Sequence, residues 1–233
     1  NAGLNWKWFF AFIAVACLVE AILMFVTDEG KREISGHIKA SDLKTILSHS
    51  RFVMSCISLA LYVGIEVAVW GWLPTLVKEK AHLSVMLATI TLSVFWIAVT
   101  LGRMISSTVI RKYGAAAIAL TLTILSIFTI SSLGIIKTAW QVWVAVPLIG
   151  FTFSAVFSNI LALGTTAIRG SMSAGTGFLI ISTGIGGMIV PTIAGIISQS
   201  NGFATSVAML VGLQIVLVAL VFAMKQNVAK CAD

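Results

Sequence analysis

One acid stands inside a long apolar run, residues 51–77, RFVMSCISLALYVGIEVAVWGWLPTLV. It is Glu66, slightly past the middle of 52–77. A run of this length crosses a bilayer, because about 20 apolar residues rising 1.5 Å each cover a hydrocarbon core of about 30 Å. A carboxyl group at that depth costs about 2.5–3.5 kcal/mol unless it meets a partner or a wet cavity. Tyr62 lies four residues before Glu66 and Trp70 four after, with Ser58 and Ser55 further back along the same slowly drifting face. Two readings are open. In one, a protonated Glu66 is hydrogen-bonded to a neighbouring helix and serves only packing. In the other, Tyr62, Glu66 and Trp70 grip a polar solute such as a sugar, and Glu66 takes up and releases a proton. Gly71 and Pro74 are expected to loosen the outer end of this helix.

A second set of chemically capable residues follows at helical spacing. Thr89, Ser93, Trp96, Thr100 and Arg103 fall on one face of a run otherwise filled by Leu, Ile, Val and Met. Such a stripe faces either a neighbouring helix, through hydroxyl hydrogen bonds, or a cavity. Arg103 continues the stripe and is placed to close an inner gate by pairing with an acid or a helix end. Arg111 and Lys112 lie further along GRMISSTVIRKYG, residues 102–114, and face the cytosol as topology determinants or gate residues. Glu20 is a second acid within an apolar run, close enough to its end to snorkel or to pair with a base. His37, His49 and His82 fall in connections without ligand spacing, so no metal and no cofactor is expected. No phosphate-binding loop, nucleophile elbow or zinc signature is present, which argues against an enzyme and against ATP-driven transport by this chain.

The elements that must hold these groups are membrane helices. Of 233 residues, 59% are hydrophobic and 10% charged, with a mean hydropathy of +1.05, which leaves no material for a separate soluble domain. The net charge of +7 is explained by topology rather than by nucleic acid, because the bases sit in the connections. Seven apolar stretches are visible, at 6–26, 52–77, 83–105, 115–136, 142–163, 175–198 and 203–224. Barrel strands would be about 10 residues long and alternate in polarity, and they do not appear here. Eleven of the 15 bases are Lys31, Arg32, Lys39, Lys44, Arg51, Arg103, Arg111, Lys112, Arg169, Lys225 and Lys230, all on one side of the expected membrane. That side is therefore expected to be cytoplasmic, with the C-terminus inside. Cys17 and Cys56 fall within spans and Cys231 in the tail, so no loop disulfide is expected. The long connection 27–50 is cytoplasmic and charged, with Ser41 or Asp42 placed to cap a short surface helix. Six spans follow it, divisible as three plus three, the count of a transporter half made of inverted three-helix repeats.

The run LYVGIEVAVWGWLPTLV and the later TLGRMISS turn resemble the C-terminal half of the major facilitator superfamily. More narrowly, they are similar to fucose–proton symporter-like sugar permeases, with a YVGxE-type run in helix seven and a GR-x-x-x-S turn after helix eight. SAGTGFLIISTGIGGMIVPTIAGIIS resembles the superfamily's glycine-rich eleventh helix, through Gly175, Gly177, Gly184, Gly186, Gly187, Pro191 and Gly195. No Asp or Glu lies between Arg103 and Gly114, which departs from the general superfamily signature and agrees with the sugar-permease branch.

The resemblance implies an all-α polytopic membrane protein whose seven transmembrane helices correspond to helices 6–12. Residues 1–26 would be the last helix of a missing N-terminal bundle and 27–50 the cytoplasmic inter-bundle loop. Residues 51–225 would form the C-terminal six-helix bundle and 226–233 a cytoplasmic tail. It implies a cavity lined by Tyr62, Glu66 and Trp70 from helix seven, Ser93 and Trp96 from helix eight, and Asn159 from helix ten, with Thr152 on the same face as Asn159. Phe151, Phe153 and Phe157 are expected to pack, and the helix of Glu20 to be peripheral. The chain begins NAGLNWKWFF, without an initiator Met or signal-peptide pattern, as expected of a piece of a longer protein. The function expected is secondary active transport of a small polar solute, a sugar, by alternating access and coupled to protons through Glu66. Its partners would be that solute, the lipid of a bacterial inner membrane and the N-terminal bundle. A drug or metabolite exporter of the same superfamily is the alternative within transport, and a seven-helix receptor the alternative outside it.

Overall fold

The computed structural model describes residues 6–26, 48–167 and 172–229. Every regular element among them is a helix. The expected cap at Ser41 or Asp42, and His37, Arg169 and Cys231, lie outside the described residues. The chain divides into two units, Asn1–His37 and Ile38–Asp233. The first contains α1 (Trp6–Val26), on which Cys17 and Glu20 are exposed.

The second unit is a bundle of α2 (Ser50–Ala81), α3 (Val85–Tyr113), α4 (Ala115–Ser132), α5 (Ala139–Phe153), α6 (Val156–Thr166), α7 (Met172–Asn201) and α8 (Phe203–Ala229). Taking α5 and α6 as one interrupted crossing, six segments are long and apolar enough to span a membrane, with α1 carrying a shorter apolar helix, Phe10–Val26. The protein is an integral membrane protein.

Local chemistry sets the ends. Ser84 caps α3 by accepting the Leu87 N–H, and Gln141 Oε1 accepts the Lys137 and Thr138 N–H groups in a capping box that starts α5. Left-handed backbone at His82 (φ 54°) and positive φ at Gly114 (79°) and Gly202 (84°) turn the chain within a few residues. Short connections make successive crossings antiparallel, so after three crossings the second set starts in the opposite direction. The contacts repeat accordingly. The broad α2–α7 interface has its counterpart in α3–α5, and α4 packs on α8 where the two repeats meet.

Two tertiary devices hold the bundle. In α2–α7, Gly186 lies so close to the Ala60 backbone that a methyl group there would overlap it. Such close approach is how helices gain packing energy when lipid removes the hydrophobic incentive to associate. In α4–α8, the buried Gln214 donates through Nε2 to the Thr123 carbonyl at 3.1 Å and to the Ser126 hydroxyl. Interhelical bonds of this kind contribute about 0.6–1.7 kcal/mol in membranes.

α2 continues through Gly71 and Pro74 to Ala81, where the proline removes one ladder bond without ending the helix. The structure differs from the sequence expectation in two places. Residues 102–113, expected to contain a turn after Gly102, are the last part of α3. Ser107 and Thr108 return their hydroxyls to the Met104 and Ile105 carbonyls, which satisfies these polar side chains within the helix. The stretch 142–163, expected as one helix, is broken at Ser154–Ala155.

Candidate functional site

The break between α5 and α6 frees carbonyl groups, and in lipid each unpaired one is expensive. Two side chains from other helices answer it. The Tyr62 hydroxyl of α2 lies 2.6 Å from the Phe153 carbonyl, and Arg103 of α3 donates through Nε to the Ser154 carbonyl at 2.8 Å. Insertion of side chains into the helical ladder is a recognised cause of sharp kinks, and no proline lies at the break itself. Gly102 makes the second contact attainable, because a methyl there would overlap the Ser154 side chain. Arg103 thus pairs with a helix end, one of the two partners its position suggested.

Tyr62 is 1% exposed and also lies 3.1 Å from Glu66 Oε1. A phenol has one proton, and here it faces two acceptors. With Glu66 ionised, Tyr62 can satisfy the carboxylate or the Phe153 carbonyl, but not both. With Glu66 protonated, the carboxyl donates to Tyr62 and Tyr62 donates to Phe153, so the circuit closes. The Glu66–Tyr62 and Tyr62–Phe153 contacts thus share one phenolic proton. Arg103 is within electrostatic reach of both Tyr62 and Glu66.

Aromatic rings build the wall. Trp70 and Trp96 are 6.2 Å apart between centroids, and Trp96 meets Phe95 edge-on at 5.4 Å. Phe95 continues to Phe153 at 6.4 Å, and Phe153 to Tyr62 at 5.7 Å. These separations suit tilted and edge-on aromatic pairs. Trp96 is 42% exposed, and Ser93, Thr89, Thr100 and Arg103 are exposed on the same face of α3, so the polar stripe points out of the bundle.

Asn159 falls elsewhere. It is 2% exposed, its Nδ2 has no hydrogen-bond partner, and it lines a cavity of about 300 Å³ with Arg103, Ser106, Ser107 and Ser158. None of Tyr62, Glu66, Trp70, Ser93 or Trp96 lines that cavity. The break changes the helical register, so Thr152 pairs with Thr129 of α4 at 3.0 Å and is not a neighbour of Asn159 in the cavity. Arg111 is exposed in the last turn of α3 and makes no ion pair among the described residues. Among those residues no group of His, Cys, Asp and Glu could hold a metal.

Several participants escape sequence reasoning. Phe95 sits among other apolar residues with nothing to mark it. The Phe153 and Ser154 carbonyls belong to the backbone, which no residue letter advertises. Ser106 and Ser158 are hidden among the many membrane hydroxyls, and only the cavity they line together distinguishes them.

The description of the Major Facilitator Superfamily matches residues 1–178. A "Protein TsgA homolog" of Buchnera aphidicola is 22% identical over 200 residues, covering 85% of this chain and 50% of that protein. A "Putative glucose/galactose transporter" of Helicobacter pylori is 26% identical over 189 residues, covering 80% and 45%. The crystal structure of the E. coli fucose:proton symporter FucP superposes with a TM-score of 0.79 at 18% identity, covering 92% of this chain and 54% of that one. The chain spans about half the length of the relatives it matches. With the helical bundle and its paired repeats, these matches remove the seven-helix receptor from the readings: the chain belongs to the Major Facilitator Superfamily.

Proposed function

We propose that this chain supplies the C-terminal six-helix bundle, and the helix before it, of a proton-coupled transporter of a small polar solute, a sugar. Residues 27–50 form the cytoplasmic link between two bundles, and the C-terminus is cytoplasmic in a bacterial inner membrane. The observation that carries this reading is the circuit Glu66–Tyr62–Phe153 carbonyl, in which one proton decides whether a helix break is pinned. Alternating access needs an element with two arrangements whose balance the coupling ion shifts. Protonation of Glu66 stabilises the pinned break, and loss of that proton turns Tyr62 toward the carboxylate and releases α6. Trp70, Trp96 and Ser93 offer the solute two ring faces and a hydroxyl, a surface suited to a sugar ring. Tyr62 acts behind that surface, as the relay. The sugar is supported by the names of the Helicobacter pylori and E. coli proteins; an exporter of hydrophobic cations would use the same fold.

The test is Glu66→Gln in the full-length protein reconstituted in vesicles. Glutamine donates to Tyr62 as a protonated acid does and cannot release a proton. Uphill glucose uptake driven by a pH gradient should disappear, while exchange of internal for external glucose continues. Uphill uptake that persists unchanged would make Glu66 a packing residue.

A further inference from the structure

The cavity between α3 and α6 is lined on one side by Arg103, Ser106 and Ser107 and on the other by Ser158 and Asn159. At about 300 Å³ it reaches the lower end of the range of small-ligand pockets, about 300–1,000 Å³. Its polar groups are sorted by kind. Arg103 uses only Nε on the Ser154 carbonyl, which leaves the outer guanidinium nitrogens without a hydrogen-bond partner among the described residues, with Glu66 within electrostatic reach. The Asn159 amide nitrogen is buried and unpaired. These are donors, one of them cationic. Ser107 and Ser158 donate to the Met104 and Ala155 carbonyls, so their oxygens are left as acceptors. Among the described residues no acid lines the cavity, and Arg103 is the one charged residue that does.

A ligand that satisfies this set carries an oxyanion for the Arg103 fork and the Asn159 amide, and hydroxyl hydrogens for the serine oxygens. A neutral sugar lacks the first, and an inorganic anion such as chloride lacks the second. We infer that the α3–α6 cavity is a carboxylate-binding subsite for a hydroxylated organic acid, such as a sugar acid, separate from the aromatic surface beside Glu66. The hydroxylated character of the ligand rests on the sugar reading above; the carboxylate preference rests on Arg103 and Asn159 alone.

Glucuronate and glucose share a ring and differ by a carboxylate in place of a hydroxymethyl group. Calorimetric titration of the purified full-length protein with each is expected to give glucuronate an affinity about tenfold or more above glucose, the effect of a charge-assisted bond over a neutral one. Asn159→Asp keeps the shape and the Arg103–Ser154 bond, places an acid in the cavity, and should bring the ratio to about one or below. Arg103→Gln should do the same. A ratio near one in the unaltered protein, no binding of either compound, or a preference that survives Asn159→Asp would overturn the assignment. Vesicle uptake separates this inference from the transport reading. Glucuronate preference without any uptake sinks transport and leaves the subsite; glucose uptake that depends on Glu66, without glucuronate preference, does the reverse.

Discussion

Two clusters lean on the same helix break from opposite neighbours, and they differ in how their hydrogen bonds are spent. On the α2 side, Glu66, Tyr62 and the Phe153 carbonyl form a circuit that closes when one proton is present. On the α3 side, Arg103 holds the Ser154 carbonyl with a single nitrogen, and Asn159 keeps an amide unused. A closed circuit suits a switch, because its bonds change partners without any ligand. An open one suits a receptor, because a buried unused donor such as the Asn159 amide costs about 1–3 kcal/mol until something binds. The contrast also separates burial from function. Tyr62 and Asn159 are almost equally buried, yet one is fully engaged and the other is not.

The largest effect expected comes from breaking the closed circuit at its centre. Tyr62→Phe keeps the ring stacked on Phe153 and removes the hydroxyl. Glu66 then has no link to the break, and the Phe153 carbonyl loses its partner. Proton-driven uptake should be lost as completely as in Glu66→Gln. Here, unlike in Glu66→Gln, thermal unfolding should also report a destabilisation of about 1–3 kcal/mol, the price of an unpaired buried acceptor. If Tyr62→Phe transports normally, the hydroxyl is not the relay.

A smaller effect is expected from pushing the open cluster away from the break. Gly102→Ala places a methyl where the Ser154 side chain lies and close to Phe151 of α5, so α3 must retreat from the break. Overpacking of this kind costs about 1–3 kcal/mol. The retreat should also lengthen the Arg103–Ser154 bond and weaken glucuronate binding, while the dependence of uptake on Glu66 remains. Titration and vesicle uptake on the same preparation check both halves. Equal loss of both properties would mean that the clusters form one unit.

The parts of this arrangement that could be read in the sequence are those that a residue letter declares. The membrane helices follow from seven apolar runs, six of which are long enough to span in the structure while the first carries a shorter apolar helix. Glu66 follows from a charge where lipid allows few. The α3 stripe follows from spacing, and its exposure agrees with a face turned away from this bundle's own core. The break could not be read, because nothing among Thr152, Ser154, Ser158 and Asn159 marks a helix end in 142–163, and the freed carbonyls are met by Tyr62 and Arg103 from distant positions. The placing of Asn159 in one cavity with Glu66 is what the family resemblance implies, and Asn159 lines a cavity beside Arg103 in which Glu66 takes no part. A continuous helix would carry Thr152 and Asn159 on one face, and the break sends them to different neighbours. α3 runs to Tyr113, beyond the apolar run that ends at 105, because the polar turns after Gly102 stay helical, and Gly102 is a point of close approach within the helix.

The smallest effect sharpens the comparison most, because it separates a residue's backbone from its side chain. Ser154 is buried, and its Oγ has no hydrogen-bond partner, while its carbonyl receives Arg103. If the hydroxyl mattered, Ser154→Ala would disturb the break. If only the carbonyl matters, the substitution removes an unpaired polar atom and keeps the Cβ that meets α3. Unfolding free energy should then change by no more than about 0.5 kcal/mol, with any shift toward greater stability. Uptake and glucuronate affinity should be unaltered. A loss of either in Ser154→Ala would place the hydroxyl, rather than the backbone, at the junction of the two clusters.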